Sequence, residues 1–210
     1  MTGRVAATLT TRSARATSAL GERLGRLLRP GDVVALVGEL GAGKTQLVRG
    51  ACAGAKVPAR EVSSPSFAIV ATYHGRIPVH HADLYRIGDE DELYATGFFD
   101  LVGGEGALLV EWADRIPGAL PEERLQLTLR ADGKAPSTRH VDVEGAGPRH
   151  EALARALVAG EKRAAPLDSA PPDRRRSARG EGPSRRSRSR SGSRSRSRSG
   201  SGSGSRRRSR

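Results

Sequence analysis

The segment from residue 32 to residue 54 constrains this chain more than any other. Asp32-Val-Val-Ala-Leu-Val37 carries a short continuous apolar run bounded by glycine on both sides, the pattern of a strand buried on both faces of a parallel sheet. Gly38-Glu-Leu-Gly-Ala-Gly-Lys-Thr45 comes directly after it and matches the phosphate-binding loop pattern G-x-x-x-x-G-K-[ST]. A helix is expected from Lys44 to about Ala53, so the loop stands in the strand–loop–helix context that the motif requires. Gly38, Gly41 and Gly43 let the backbone turn and bring N–H groups close to phosphate oxygens, and the helix adds its positive N-terminal end. Gly38, Glu39, Leu40, Gly41, Ala42, Gly43, Lys44 and Thr45 are therefore the expected nucleotide-binding set. Lys44 is placed for the β and γ phosphates, and Thr45 for Mg²⁺.

The rest of the chain reads as alternating strands and helices. Strands are expected at Val5–Leu9, Phe67–Tyr73, Ile77–His81, Ala107–Glu111, Arg124–Arg130 and Arg139–Val143. Helices are expected at about Ala14–Leu28, where Leu20, Leu24, Leu27 and Leu28 fall at helical spacing, near Glu90–Tyr94 and near Arg149–Val158. That interleaving predicts an α/β, three-layer, P-loop NTPase-like domain with a mostly parallel central sheet.

Charge separates this body from the C-terminal fifty residues. The chain of 210 residues has a net charge of +13. Residues 161–210 hold 17 basic and 4 acidic side chains, which leaves residues 1–160 neutral. A basic nucleic-acid-binding body is thereby excluded as the default. All seven aromatic residues lie between Phe67 and Trp112, so residues 161–210, with Arg-Ser alternation from Ser184 to Ser199, are expected to be a disordered, low-complexity basic tail after a domain spanning 1–160. Cys52 is the single cysteine and completes no zinc pattern with the five histidines, which points to a reducing, cytoplasmic location. No apolar run approaches the roughly 20 residues needed to span a bilayer, so no membrane role is expected.

A phosphate loop does not name its nucleotide. Guanine-specific proteins read the base with an Asn/Thr-Lys-x-Asp element, and this chain has neither an Asn nor a Thr-Lys-x-Asp. Asp100-Leu-Val-Gly103 fits a two-letter GTPase pattern but reads as a turn. Magnesium on a nucleotide also needs a carboxylate at the end of a neighbouring strand, and two segments offer one. Ile77-Pro-Val-His-His-Ala-Asp83 leads into Asp83, and Ala107-Leu-Leu-Val-Glu111 leads into Glu111.

Five pieces in order resemble one family. They are Thr17-x-x-Leu20-Gly21, the loop Gly38–Thr45, Ser64-Pro-Ser-Phe67, His81-Ala-Asp-Leu-Tyr-Arg86 and Glu111-Trp-Ala-Asp114. Together they resemble the TsaE (YjeE) family, small P-loop ATPases of tRNA threonylcarbamoyladenosine synthesis, over about residues 10–130. Ser66 stands where that family usually has Thr, which keeps the hydroxyl. The resemblance implies ATP and Mg²⁺ as cofactors and a TsaB–TsaD heterodimer as partner. In that setting the chain supports, by ATP hydrolysis, threonylcarbamoyl transfer to the adenosine beside the anticodon of tRNAs reading ANN codons. It implies Thr45 and Glu111 as the metal-side pair, Asp83 as a carboxylate orienting the attacking water, and Ser66 as a switch-like hydroxyl reaching the γ-phosphate or Mg²⁺. It places Thr17 and Trp112 near the base. Read from residue chemistry alone, Ser66 also suits an ordinary Ser-Pro turn, Trp112 a packed aromatic, and His81 a structural hydrogen-bonding residue. Arg86 suits a pair with either a phosphate or Asp83.

The tail lies outside the resemblance, and its charge would attract polyanions, tRNA among them. The competing reading of the body is a P-loop small-molecule or nucleoside kinase. Such kinases usually carry an Arg-rich lid, and no Arg cluster lies between the acidic segments.

Overall fold

In a computed structural model of the chain, the described residues are 5–62 and 69–163. Their elements run β1 (Val5–Thr11), α1 (Ala14–Leu27), β2 (Val33–Val37), α2 (Lys44–Gly54), β3 (Val70–His74), β4 (Pro78–Asp83), α3 (Glu90–Tyr94), β5 (Ala107–Glu111), β6 (Leu125–Ala131), β7 (Arg139–Gly145) and α4 (Gly147–Arg163). Three short 3-10 turns, at Ala59–Glu61, Phe98–Leu101 and Pro117–Ala119, were not expected from periodicity. Within Asp100–Gly103, whose sequence suggested a turn, Asp100 and Leu101 end the second of these 3-10 segments, and Val102 and Gly103 form a turn.

The strands form one sheet in the order β1-β7-β6-β2-β5-β4-β3. β6, β2, β5 and β4 pair in parallel, while β1–β7, β6–β7 and β3–β4 pair antiparallel. Five of the seven strands therefore run the same way, and the parallel strands occupy the centre. The all-apolar runs of β2 and β5 sit there because helices and turns cover both of their faces. β6, towards the edge, alternates buried and partly exposed residues.

Two apolar clusters flank the sheet. One packs Val34, Leu36, Leu109, Leu127 and Val141 against Leu20 and Leu24 of α1, Leu47 and Val48 of α2, and Leu153 and Leu157 of α4. The other packs Val33, Ala35, Leu108 and Val110 under Leu93 of α3, Phe98 and Ile116. The result is a three-layer α/β arrangement of the P-loop NTPase-like kind.

Helices α1 and α2 touch backbone to backbone. A Cβ added to Gly25 would lie 1.9 Å from the Ala51 carbonyl oxygen, and one on Gly21 would lie 2.1 Å from that of Leu47. The contact is reciprocal: a Cβ on Gly50 would lie 2.0 Å from the Ser18 oxygen and one on Gly54 would lie 2.1 Å from that of Glu22. Two Gly-x-x-x-Gly stretches thus seat the helix that carries the phosphate loop directly on its neighbour.

Most expected boundaries shift by one or two residues, β1 and β7 each running two residues further, and three differences bear on the site or the domain. β3 starts at Val70, and Phe67 and Ala68 of the expected strand lie outside the described residues. β4 runs two residues further than its apolar pattern suggested, so Asp83 is its last residue. α4 continues to Arg163, past the domain boundary expected at 160. Among the described residues no helix is long and apolar enough to cross a membrane.

Candidate functional site

β2 ends at the middle of the sheet, and the chain leaves it through residues that only glycine accommodates. Gly38 has φ +145° and Gly43 has φ +101°, in the region where a side chain is strained. A Cβ on Gly38 would also lie 2.4 Å from the Leu129 carbonyl oxygen. Gly43 is the N-cap of α2 and provides no side-chain cap, so the first amides of the helix remain available to an anion.

The loop opens onto a cavity of about 410 Å³. Leu40, Gly41, Ala42, Gly43, Lys44 and Thr45 line it, together with Gln46 and Arg49 of α2, Ile69, Asp83, Tyr85, Arg86, Glu111 and Trp112. Gly38 and Glu39 instead line a second cavity of about 310 Å³ on the β6 side of the loop, which shares Leu40, Gly41 and Ala42 with the first. Leu40, at the tip, is 80% exposed.

Lys44 is only 4% exposed. Its Nζ donates to the carbonyls of Gly38 at 2.6 Å and Glu39 at 3.1 Å, and stands 3.6 Å from the centroid of the Trp112 ring. Burial pulls its pKa below the usual lysine value, opposed by the negative charges of Glu111, Asp114 and Asp83.

The acidic residues come together through strand register. Asp83 and Glu111 are partners at the ends of the parallel pair β4–β5. Glu111 is 2% exposed. The Thr45 hydroxyl donates to its Oε2 at 2.9 Å, and its Oε1 lies 2.9 Å from Nε2 of His81. Asp83 is half-buried on the cavity wall, and its Oδ1 accepts from the Tyr85 amide at 3.0 Å. A hydroxyl and a carboxylate beside a phosphate loop are hard oxygen donors, which suits Mg²⁺ held chiefly by phosphate and water. Thr45 and Glu111 are the residues that would hold it.

Trp112 lies on the cavity wall with φ +58°, and so does Ile69 at φ +58°. Left-handed backbone is costly for residues of this size and concentrates at functional sites. Here it turns the chain sharply after Glu111 and brings the indole over Lys44. The Tyr85 ring packs against Trp112 with centroids 4.9 Å apart.

Thr17 is 2% exposed and is not among the residues lining either cavity. Its hydroxyl contacts that of Thr11 at 2.7 Å and donates to the Ser13 carbonyl at 3.2 Å. Its methyl lies 3.7 Å from the position of a Cβ on Gly43, directly behind the loop. Ser66 and the segment Ser64–Phe67 lie outside the described residues.

Arg139 is the site residue that sequence reading missed. From β7 its Nε donates to the Ala42 carbonyl at 3.0 Å and its Nη2 to that of Gly41 at 3.2 Å, while Nη1 donates to Pro136 and Thr138. One guanidinium therefore ties the phosphate loop to the start of β7. No local pattern marks it, because its partners lie almost a hundred residues away.

Comparison with known proteins agrees with this geometry. A family model described as threonylcarbamoyl adenosine biosynthesis protein TsaE matches residues 11–141. The chain is 40% identical over 124 residues to the TsaE protein of Treponema pallidum, covering 58% of this chain and 91% of that one. It is 40% identical over 148 residues to that of Streptomyces coelicolor, covering 67% and 98%. The crystal structure of Bacillus subtilis YdiB superposes with a TM-score of 0.62 at 30% identity, covering 77% of this chain and 98% of that one. The chain belongs to the TsaE family of threonylcarbamoyl adenosine biosynthesis proteins.

Proposed function

We propose that this chain is the ATP-binding and ATP-hydrolysing subunit that supports threonylcarbamoyladenosine modification of tRNAs reading ANN codons, working with a TsaB–TsaD complex. The contact between the Thr45 hydroxyl and the buried Glu111 carboxylate carries the reading. It joins the end of a phosphate loop to the end of the neighbouring strand, the pairing that nucleotide hydrolysis at a P-loop uses.

Loop amides and the N-terminus of α2 hold the phosphates, and Lys44 leaves its carbonyl partners to meet the β and γ oxygens. A bound Mg²⁺ supplies charge neutralisation at the γ-phosphoryl group. Asp83, open to the cavity, accepts a hydrogen bond from the attacking water and orients it. The water oxygen bonds to the γ-phosphorus as the bond to the β–γ bridging oxygen breaks, giving ADP and phosphate. Trp112 and Tyr85 wall the cavity and limit bulk water. Residues 164–210 add a salt-sensitive attraction to tRNA through their charge.

Measuring ATP hydrolysis by the full chain, alone and with purified TsaB–TsaD, tests the reading. Turnover should be slow alone and rise by roughly 10³-fold or more when the partner completes the site. Lys44→Ala should keep the thermal transition while weakening ATP binding about tenfold to a hundredfold, the worth of charge-assisted contacts to phosphate. Fast, partner-indifferent turnover would favour a kinase or a stand-alone hydrolase, and phosphoryl transfer to a nucleoside or other small acceptor would establish the kinase reading.

A further inference from the structure

We infer that His81 is a positioning residue for Glu111, holding one carboxylate oxygen in place so that the other is presented to a divalent cation beside Thr45. The inference rests on the metal-side assignment of Thr45 and Glu111 proposed above.

The geometry assigns each oxygen a partner. Glu111 closes β5, a strand whose five residues are all buried, so its carboxylate depends on protein groups. Oε2 accepts from Thr45 and Oε1 lies at 2.9 Å from His81 Nε2. A carboxylate accepts, so Nε2 carries a hydrogen and donates to Oε1. A hydroxyl could ligate a cation through a lone pair while its hydrogen still donates to Oε2, which would keep a lone pair of its own for the cation. With Oε1 tied to His81, the carboxylate would keep its orientation when a cation arrives. Hydrogen bonds behind a metal-binding carboxylate act in this way, and their loss typically weakens metal binding 10–100-fold.

The setting of His81 argues against a packing role. It is 0% exposed, and its Nδ1 has no hydrogen-bond partner among the described residues. A phenylalanine or leucine would fill the same space without burying an unpaired nitrogen, so Glu111 is what a histidine gains here. Its backbone is set by the ladder: His81 pairs with Leu109 of β5 and Ala71 of β3. The ring lies on the same side of the sheet as Glu111, two residues along the partner strand, with its centroid 6.4 Å from that of Tyr73. Strand pairing therefore aims the ring before any ligand arrives.

The test compares variants that differ in donor reach. His81→Gln places an amide N–H near the position of Nε2, His81→Asn stops short of Glu111, and His81→Phe keeps the volume without a donor. Calorimetric titration with ADP, in EDTA and across a series of Mg²⁺ concentrations, reads metal coupling without turnover. His81→Phe and His81→Asn should each raise the Mg²⁺ concentration for half-maximal effect about tenfold or more, with metal-free ADP affinity unchanged and His81→Gln close to wild type. If His81→Phe does not fold, the Gln–Asn pair carries the comparison. Wild-type Mg²⁺ dependence in His81→Asn, or an equal loss of metal-free ADP affinity, would overturn the role of His81 alone. Mg²⁺-independent ADP binding by the wild-type protein would overturn the metal-side assignment on which it rests.

Discussion

Asp83 and Glu111 are register partners at the ends of two parallel strands, yet they occupy opposite kinds of environment. Glu111 is buried with both oxygens engaged, and Asp83 stands half-buried on the cavity wall with one oxygen on a backbone amide. The same ladder that aligns them separates their work. The deep carboxylate is fixed beside Thr45, and the shallow one can meet a water.

Asp83→Asn should therefore act on turnover. Replacing a water-orienting carboxylate with an amide removes an acceptor that matters in the transition state, and such groups contribute roughly 10²–10⁴-fold. We expect kcat with the partner complex to fall at least a hundredfold while ADP affinity stays within about twofold of wild type. Unchanged kcat would mark Asp83 as a strand cap.

Gly25→Ala and Gly50→Ala should destabilise the domain without touching the cavity. At both positions the new methyl meets backbone, 1.9 Å from the Ala51 oxygen and 2.0 Å from the Ser18 oxygen, which no rotamer change relieves. Separating α1 from α2 is the response, at a cost of about 3 kcal/mol, the upper part of the usual overpacking range. Urea unfolding of each variant measures this, and Gly133→Ala, where a Cβ would meet nothing within 4 Å, is the control.

Stability should fall as pH drops through about 6.5. His150 is buried, and its Nε2 accepts from the Val33 amide at 3.2 Å. Burial lowers its pKa from the ordinary 6.5, countered by Asp32, helped by Arg149 and countered by Glu123. Burial, and then His74, lower the pKa of His80 in the same direction. A base whose folded pKa is depressed takes up protons more readily when unfolded, so its stabilising contribution is complete above 6.5 and declines below it. The urea midpoint should be lower at pH 5.5 than at pH 7.5. His150→Gln, which keeps an acceptor for Val33, should flatten that difference, and an unchanged slope would exclude His150 as its source.

Removing residues 164–210 should leave nucleotide binding and partner association intact and weaken the salt-sensitive attachment to tRNA. The body is neutral, and residues 161–210 carry the whole excess of +13. The logarithm of affinity for tRNA should fall steeply with the logarithm of salt concentration in the full chain and only weakly in the truncated one. Equal slopes would leave the tail without an electrostatic role, and loss of ADP binding would move the domain boundary beyond Arg163.

Local rules determined a large part of this protein. Glycine tolerance and apolar runs marked β2, the phosphate loop and α2, because both act within a few residues of chain. Charge counting separated a neutral body from a basic extension for the same reason, and apolar runs ending in an acid pointed to Asp83 and Glu111. What the tertiary structure decided is which of these distant pieces meet. Arg139 reaches the loop carbonyls from a strand almost a hundred residues away. His81 finds Glu111 only because β4 and β5 pair in parallel with that register. The four helix glycines acquire their role only when α1 and α2 are laid together. Thr17 turns out to stand behind the loop, its methyl 3.7 Å from the position of a Cβ on Gly43. Each of these contacts depends on strand order and helix packing, which are set by burial summed over the whole core, and no window of sequence holds both partners.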